Sequence, residues 1–441
     1  MSKIELTHID KYYGKNHVLK DLNLTIEDGD FMTLLGPSGC GKTTTLRVVS
    51  GLEKPQNGII LMDGKEIVNA AEASFAPPSK RNLNLVFQFK DIPLLTKVIS
   101  VPKQNYATTD RKAILDNVLK LLDGHERIVA ITPHQRGEKF EELPVERFET
   151  HTRAFIKVED GCNRQCAYCV IPRARGPVRS RAEESILAEL HQLAAAGYRE
   201  VVLSAISLPS YGLDTGTNLV ELVEKCAQVP GIERIRLGSL DPDMLTPEFI
   251  SRLAAVDKLC PQFHLSLQSG CTATLRRMRR VYTAQEYAQV VEQIRAAYGS
   301  RPVSFTTDCI CGFPGETAED FEESCAFLKK IGFVKVHVFP YSRRSGTPAY
   351  DFPDQIHERE KQERSRRMNA VAEQVRCEAL AAFEGTEDEV LLETPLSGTL
   401  FTGYTRLYIP VVVSAPGCES GQIVRVKLGR YDGERVRAAL C

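Results

Sequence analysis

The sequence lacks any run of about 20 apolar residues, the length that a helix needs to cross a bilayer. Its first ten residues, MSKIELTHID, also lack the apolar core of a secretory signal. Net charge is nearly absent, since 56 Lys and Arg balance 57 Asp and Glu. A nucleic-acid partner would therefore have to be bound by local basic patches and not by a global field. We expect a cytoplasmic protein without a membrane span.

The composition is otherwise that of an ordinary globular protein. Its 441 residues suffice for two to four domains, and 43% of them are hydrophobic and 26% charged. Thirteen cysteines are present. In a reducing compartment a disulfide framework is not expected, so these cysteines indicate metal binding, catalysis or burial.

Three of the cysteines lie in one short segment, EDGCNRQCAYC, with the spacing C-x3-C-x2-C. Cys162, Cys166 and Cys169 follow a predicted strand, so one loop can direct three thiolates at a single centre. A structural zinc site normally has four ligands, whereas three cysteines leave one iron of a cluster open. Tyr168 adds a flat surface on which an adenine ring can rest. The alternative is three cysteines that simply fall close together in a loop.

The region around and after these cysteines has a regular βα pattern. From about residue 150 to 340, strand-like runs alternate with amphipathic helical segments. Six such units in succession predict a parallel, barrel-like sheet. The following segment, 354–383, is charged and helical in period. Residues 384–441 are β-rich and broken by Gly and Pro, which is typical of a small barrel.

These motifs resemble the radical S-adenosylmethionine (SAM) superfamily. Within it, they resemble the tRNA methylthiotransferases that act on N6-threonylcarbamoyladenosine beside the anticodon. The resemblance runs from about Thr108 to the C-terminus and rests on four segments: RAFIKVEDGCNRQCAYCVIPRARGPVRSR, HLSLQSGCTATLRRMRRVYT, TTDCICGFPGETAEDFEES and KVHVFPYSRRSGTPA. It implies an α/β fold with a radical SAM partial (β/α)6 barrel over 151–353, a linking helix over 354–383, and an OB-like TRAM domain over 384–441.

The resemblance also implies roles for individual residues. Cys162, Cys166 and Cys169 would hold a catalytic [4Fe-4S] cluster, and SAM would bind the open iron. One electron, from a donor such as flavodoxin or ferredoxin, would cleave SAM, and the 5′-deoxyadenosyl radical would take hydrogen from adenine C2. The expected SAM contacts are Tyr168, Ser266, Gln268, Asp308 and Gly312. The alternative for the polar ones is that they merely close strands.

Basic residues near the cysteine loop suggest contacts with tRNA phosphates. Two patches are expected to make them: Arg173, Arg175, Arg179 and Arg181, and Arg276, Arg277, Arg279 and Arg280. The C-terminal barrel adds a set suited to base stacking and backbone contact: Tyr404, Arg406, Tyr408, Lys427 and Arg430. The alternative for all of them is ordinary solvated surface.

The N-terminal segment carries an unrelated motif. GPSGCGKT follows the apolar strand FMTLL and opens a helix, which is the context that a phosphate-binding loop requires. With LKDLNLTIEDGDF and VVSGLEKPQNGIILMDGKEI, it resembles the start of an ABC-transporter ATPase, which implies binding of ATP and Mg²⁺. The implied nucleotide-binding residues are Tyr13, Gly36, Ser38, Gly39, Gly41, Lys42, Thr43, Thr44 and Gln88.

Both resemblances are incomplete. After Gln88 there is no LSGGQ-like signature and no apolar strand ending in Asp-Glu, so residues 1–88 are predicted to be an incomplete P-loop ABC ATPase fragment without coupled hydrolysis. Methylthiotransferases carry three further cysteines for a second cluster, but between residues 1 and 161 this chain has only Cys40. Residues 89–150 are predicted to be a junction with a remnant of that missing domain, produced by a gene fusion or by an error of gene assembly.

We therefore expect a radical SAM tRNA methylthiotransferase in which SAM cleavage survives and sulfur insertion is impaired. Two alternatives remain open. One is an ATP-binding subunit of an ABC transporter, with a membrane permease as its partner. The other is a catalytically inactive tRNA-binding iron–sulfur protein.

Overall fold

A computed structural model describes residues 152–441 without interruption. Of the chain before them it describes 3–13, 16–27, 42–72, 74–76, 81, 84–85, 98–99, 106–108, 128–130 and 137–142. The chain divides into two compact units, Met1–Pro133 and His134–Cys441. This division falls between the predicted boundaries at residues 88 and 150.

The first unit contains a five-stranded antiparallel sheet with the order β2-β1-β3-β4-β5. Its elements are β1 (Ile4–Tyr13), β2 (Asn16–Ile26), α1 (Lys42–Ser50), β3 (Asn57–Met62), β4 (Lys65–Asn69) and β5 (Ser74–Phe75). Val48 and Val49 of α1 lie in one apolar core with residues of the sheet. The buried Arg81 guanidinium donates to the carbonyls of Val48 and Val49 at 2.8 and 2.9 Å. A side chain thus satisfies two of the free carbonyls at the end of α1.

Four short strands follow in the same unit. They are β6 (Asn84–Leu85) paired antiparallel with β7 (Val98–Ile99), and β8 (Tyr106–Thr108) paired parallel with β9 (Ile128–Ala130).

The second unit begins with an open barrel of parallel strands. The strands are β10 (Arg153–Lys157), β11 (Glu159–Asp160), β12 (Arg179–Ser180), β13 (Glu200–Ser204), β14 (Arg234–Leu237), β15 (Ser239–Leu240), β16 (Gln262–Leu265), β17 (Ser304–Cys311) and β18 (Lys335–Pro340). Strands β10, β13 and β14 form one parallel sheet and β15 to β18 another, while β11 and β12 make a small antiparallel ribbon. Only Gly238 separates β14 from β15, so six βα units follow one another around the barrel. The predicted partial (β/α)6 barrel is confirmed.

Helices cover the outside of these strands. They are α2 (Ile171–Arg175), α3 (Glu183–Ala195), α4 (Leu219–Ala227), α5 (Pro247–Ala254), α6 (Thr272–Arg277), α7 (Ala284–Tyr298), α8 (Ala318–Ile331) and α9 (Glu358–Ala381). Helices α7 and α8 begin at capping boxes, formed by Thr283 with Glu286 and by Thr317 with Asp320. Within the described residues, no helix is long and apolar enough to cross a membrane.

Alternation along the strands separates an outer apolar face from an inner polar one. Ile156, Leu203 and Phe305 belong to the core that the helices cover. The residues that alternate with such core residues along each strand are largely polar. They point to the other face of the sheet, because successive side chains of a strand alternate. On that face hydrogen bonds run from strand to strand, for example from Gln262 to Thr306 at 3.1 Å.

A closed barrel ends the chain. Its strands are β19 (Glu387–Ser397), β20 (Leu400–Thr405), β21 (Pro410–Ser414), β22 (Ile423–Tyr431) and β23 (Val436–Leu440), in the order β19-β20-β21-β23-β22. The predicted small C-terminal β-barrel is confirmed, and α9 lies within the segment predicted to be a linking helix.

The turn between β20 and β21 packs against the amino ends of the parallel strands. Arg236 donates to the carbonyls of Thr405 and Arg406 at 3.1 Å each, and Ser304 donates to the carbonyl of Leu407 at 2.6 Å. The rings of Tyr404 and Tyr408 stack on each other, 4.6 Å apart, beneath the guanidinium of Arg153. The sequence also suggested these two tyrosines for stacking on RNA bases. In the structure they stack on each other and contact Arg153.

The charge cluster beside this turn should matter for stability. Glu200 is fully buried, with Arg234 and Arg236 at 3.4 and 3.1 Å from its carboxylate. Replacing Glu200 by Gln leaves the buried Arg236 without its carboxylate and Arg234 with only the half-exposed Glu389 at 3.4 Å, which we expect to cost about 3–5 kcal/mol in the free energy of unfolding. Guanidinium unfolding of the full chain, followed by circular dichroism, measures this. The control Glu233→Gln breaks an exposed pair with Arg199 and should cost at most about 1 kcal/mol.

The same cluster gives a pH dependence. Burial raises the pKa of Glu200, but Arg236 and Arg234 lower it by more, so its pKa in the folded protein lies below the ordinary 4.5. Its stabilising contribution is then present above pH 4.5 and is lost as the pH falls through the folded pKa. Equal acid sensitivity of the parent chain and Glu200→Gln would contradict this account.

Candidate active site

The three predicted cysteines lie in the loop that follows β10, at the carboxyl end of the barrel strands. Cys166 is buried, Cys162 and Cys169 are partly exposed, and all three are free thiols. The loop closes on a later segment, because the Cys162 amide donates to the carbonyl of Gly176 at 3.0 Å. One short loop therefore presents three thiols at the open end of the barrel.

Gly161 makes this closure possible. Its φ is +92°, and a Cβ atom at this position would stand 2.0 Å from the carbonyl oxygen of Pro177. Any other residue would be strained in its backbone and would push the two segments apart.

Three cysteine ligands favour a cluster over a structural zinc ion. A structural zinc site is normally closed by four ligands, whereas three thiolates that each bind one iron leave the fourth iron of a [4Fe-4S] cluster open. Among the described residues, a separate group of side chains, Cys271, Asp320 and Glu323, brings three possible ligand atoms within 4.8 Å of one another.

A buried arginine contacts the innermost thiol. The Arg280 side chain is 5% exposed, and its Nη1 lies 3.2 Å from Cys166 Sγ. Its Nη2 donates to Asp241 at 2.6 Å and its Nε to the hydroxyl of Tyr282 at 3.0 Å. Burial lowers the pKa of Arg280, but Tyr282, Tyr168 and Asp241 raise it by more. The guanidinium is therefore a permanent positive charge beside the triad.

A second arginine, Arg164, belongs to the cysteine loop itself and lies between its first two cysteines. The Arg164 amide donates to Cys162 Sγ at 3.4 Å. Its guanidinium binds both oxygens of Asp243 at 2.9 and 2.8 Å and lies 3.4 Å from Asp241. The segment after β15 thus supplies two carboxylates that hold Arg164 and Arg280 at the thiols. Sequence reasoning missed both carboxylates; the signal was the pair of acids in LDPDM at a strand end.

Burial makes the thiols of Cys162 and Cys169 weaker acids than an ordinary cysteine. Burial raises the pKa of Cys162 to about 11 and also raises that of Cys169. Cysteines with such a pKa bind as thiolates only where a metal supplies the compensating charge.

Known proteins with related sequences identify the family. The pattern of the radical SAM superfamily matches residues 156–328. The chain is 37% identical over 327 residues to threonylcarbamoyladenosine tRNA methylthiotransferase MtaB of Bacillus subtilis, a match covering 73% of this chain and 72% of the relative. It is 40% identical over 296 residues to MtaB of Chlamydia pneumoniae, covering 67% and 69%. The chain belongs to the MtaB-type radical SAM tRNA methylthiotransferases.

A further relative is the tRNA-2-methylthio-N(6)-dimethylallyladenosine synthase of Carboxydothermus hydrogenoformans, 36% identical over 313 residues that cover 70% of each chain. This chain is therefore an enzyme of the radical SAM class, whose cofactors are a [4Fe-4S] cluster and SAM. The pattern of ABC transporters matches residues 19–143, which confirms the resemblance of the N-terminal segment. This match extends past Gln88, and the domain boundary at residue 88 stays a prediction.

Several predicted SAM contacts lie together near the carboxyl end of the barrel. The ring of Tyr168 packs edge-on against Phe313, with centroids 6.5 Å apart. Gln268 has a left-handed φ of +68°, and its amide donates to the carbonyl of Asp308 at 2.9 Å. Ser266 is two residues before it, and Asp308 also faces His264, at 3.5 Å. The strand ends therefore bring Ser266, Gln268 and Asp308 to adjacent positions.

The packing of α9 explains why a glycine stands at position 312. Its φ is +73°, and a Cβ atom there would lie 2.4 Å from Cγ of Lys361 on α9. Its amide donates to Glu316 at 2.7 Å. The approach of α9 is enough to require glycine here, so the SAM contact at Gly312 stays a prediction.

The arginines predicted to bind tRNA separate into exposed and buried groups. Arg173, Arg276 and Arg279 are exposed. Arg175 is partly exposed and lies 3.5 Å from Asp160, and Arg277 pairs with Asp320.

In three arginines of the two predicted patches the side chain is buried. Arg179 donates to the carbonyls of Arg175 and Pro177 at 2.8 and 3.0 Å. Arg181 forms an ion pair with Glu189, and Arg280 contacts Cys166. Their guanidiniums have partners inside the protein, and their contacts with tRNA phosphates stay predictions.

The predicted nucleotide-binding residues fall mostly on parts of the chain that the structure leaves out. Gly36, Ser38, Gly39, Gly41 and Gln88 lie outside the described residues, as do the side chains of Tyr13, Lys42 and Thr43. Thr44 lies in the first turn of α1 and is partly buried. Helix α1 begins at Lys42, where the motif requires a helix to start.

Glu159 is a further residue that the sequence did not single out. It is fully buried, and burial raises its pKa to about 8. One carboxylate oxygen accepts from the amides of Ile206 and Ser207 at 3.1 and 2.9 Å, which fixes the loop after β13 next to the cysteine loop.

The close approach at Gly161 generates a prediction. Replacing Gly161 by Ala should prevent the cysteine loop from closing on Pro177, and cluster loading should fall several-fold. Iron per chain after anaerobic reconstitution measures this. Gly197→Ala is the matched control, because Gly197 has nearly the same φ of +91° but nothing within 4 Å of the added Cβ. Equal iron in the two variants would show that the contact does not matter for loading.

Proposed function

We propose that this chain methylthiolates C2 of N6-threonylcarbamoyladenosine in tRNA by radical SAM chemistry. The observation that carries the proposal is the loop after β10, where three free thiols stand at the open end of the barrel, one of them against a buried guanidinium. The nucleoside is proposed because two relatives, 37% and 40% identical to this chain over the aligned residues, are named for it. The third relative is named for dimethylallyladenosine.

In this proposal Cys162, Cys166 and Cys169 hold the cluster. When bound, the cluster would supply the electron for the reductive cleavage of SAM. Tyr168 would offer its ring face to the adenine, while Ser266, Gln268, Asp308 and Gly312 would contact the rest of SAM. A small electron carrier such as flavodoxin or ferredoxin would reduce the enzyme, in the cytoplasm.

The remaining parts would bind RNA or nucleotide. Arg173, Arg175, Arg276 and Arg279 would contact tRNA phosphates, and the barrel over 384–441 would act as a TRAM domain. The segment 1–88, which overlaps the region that matches ABC transporters, would bind ATP and Mg²⁺ at its P-loop without coupled hydrolysis.

The first test examines the triad. Cys162→Ala, Cys166→Ala and Cys169→Ala should each lose most of the iron and the SAM-dependent formation of 5′-deoxyadenosine under dithionite. We expect about four irons per chain in the parent. Cys377→Ala is the control, since Cys377 is an exposed cysteine on α9. Full iron in all three triad variants would remove the radical SAM assignment of these residues.

The same assay separates SAM cleavage from sulfur insertion. With tRNA bearing threonylcarbamoyladenosine, 5′-deoxyadenosine should form while the 2-methylthio nucleoside stays far below it, because between residues 1 and 161 the sequence offers only Cys40 for a second cluster. Mass spectrometry quantifies both products. Stoichiometric methylthio product would show that another sulfur source replaces that cluster.

A separate prediction concerns the exposed arginines. The double substitution Arg276→Gln with Arg279→Gln should weaken tRNA binding and reduce the slope of log K against log salt by about 0.7 to 0.9 per lost phosphate contact. Filter binding at several salt concentrations measures the slope. The control removes two arginines that pair with glutamates of their own helices, the partly exposed Arg295 and the exposed Arg366. An unchanged slope in the test pair would make this patch ordinary surface.

A further inference from the structure

Arg280 is placed in an unusual way for a residue in a basic run. Its side chain is 5% exposed, and each edge of its guanidinium has a partner. Nη2 donates to Asp241 and Nε to Tyr282, while Nη1 points at Cys166 Sγ, 3.2 Å away. Cys166 is also the one buried thiol of the triad.

The local fold directs Arg280 to this position. Helix α6 ends in a turn in which Arg279 adopts a left-handed φ of +58° and the Arg280 amide donates to the carbonyl of Leu275 at 2.9 Å. This is the pattern of a Schellman cap, which reverses the chain after a helix. The same turn is attached to the cysteine loop, since the Ala167 amide donates to the carbonyl of Met278 at 2.9 Å. Backbone contacts thus fix the distance between Arg280 and Cys166.

We infer that Arg280 is a positioning residue that donates a charge-assisted hydrogen bond to the Cys166 thiolate and thereby raises the reduction potential of the cluster. The inference rests on the proposed function, because it takes Cys166 as a cluster ligand.

The physical reason is the charge of the two redox states. Reduction adds one negative charge to a group held by thiolates, and a nearby fixed positive charge stabilises the more negative state. The effect is large where water is excluded, because screening is weak at a buried site. Hydrogen bonds to the sulfurs are among the features that set the potential of an iron–sulfur cluster.

Asp241 limits the effect of Arg280 on the reduction potential and fixes the orientation of its guanidinium. Its carboxylate holds Arg280 at 2.6 Å and also lies 3.4 Å from Arg164. Two guanidiniums therefore share Asp241, with Asp243 as a second partner of Arg164. The orientation of Arg280 depends on a rigid network and not on the cluster alone.

The test is a redox titration of the reconstituted full chain, without SAM and without tRNA. Mediating dyes set the potential, and electron paramagnetic resonance measures the reduced cluster. Arg280→Gln should load iron as the parent does, but its reduced-to-oxidised ratio at a fixed potential should fall about tenfold, which for a one-electron couple equals a shift of about 59 mV to more negative values. Arg280→Lys keeps the charge but loses the planar hydrogen-bonding geometry of the guanidinium, so the shift in reduction potential should be smaller and of the same sign.

A matched control separates the effect of Arg280 on the reduction potential from the general effect of losing a buried arginine. Arg364 is 9% exposed and pairs with Glu316 and Glu360. Arg364→Gln should leave the potential at the parent value. If Arg280→Gln does not load iron, the titration of Arg280→Lys decides, and a parent-like potential there overturns the inference.

Other results are also decisive. A parent-like potential in an iron-loaded Arg280→Gln chain would overturn the inference. So would an unchanged potential combined with weaker SAM binding in equilibrium dialysis, because Arg280 would then be a SAM contact. Absence of a cluster from the parent chain would instead count against the triad itself, and hence against the proposed function.

Discussion

The buried ion pairs of Glu200 are the interaction on which the arrangement of the second unit depends. Glu200 begins β13, while Arg234 and Arg236 come from β14, and Arg236 also reaches the carbonyls of Thr405 and Arg406 in the C-terminal barrel. One carboxylate thus joins two strands and holds the β20–β21 turn through Arg236. Because this turn covers the amino ends of the strands, the carboxyl ends are the edge left for chemistry. The cysteine loop lies at that edge.

Much of this organisation could be predicted from the sequence. Strand-like runs with outer residues such as Ile156 and Phe305, alternating with amphipathic helices, predict the βα order, since that pattern depends only on local spacing. The triad could be found for the same reason, because Cys162, Cys166 and Cys169 lie within eight residues. The closed β-barrel followed from its short strands and its Gly and Pro breaks.

What sequence reasoning missed depends on contacts between distant segments. Asp241 holds Arg164 and Arg280 over separations of 77 and 39 residues, and no local pattern shows this. Gly312 was predicted to contact SAM, which stays a prediction; the group that approaches it in the fold is Lys361, which is 49 residues further along the chain. Residue type and spacing identify the need for such a contact without identifying the partner.

The basic patches show why charge alone could not separate RNA contacts from internal ones. Arg279 and Arg280 are neighbours, yet the left-handed turn at Arg279 leaves its side chain exposed and directs Arg280 inward to Cys166. A guanidinium pays a desolvation penalty on burial, so it is buried only where charged or polar partners compensate. Asp241, Tyr282 and the thiol provide those partners for Arg280. The turn therefore gives two adjacent arginines different surroundings, with Arg279 exposed and Arg280 facing the thiol of Cys166.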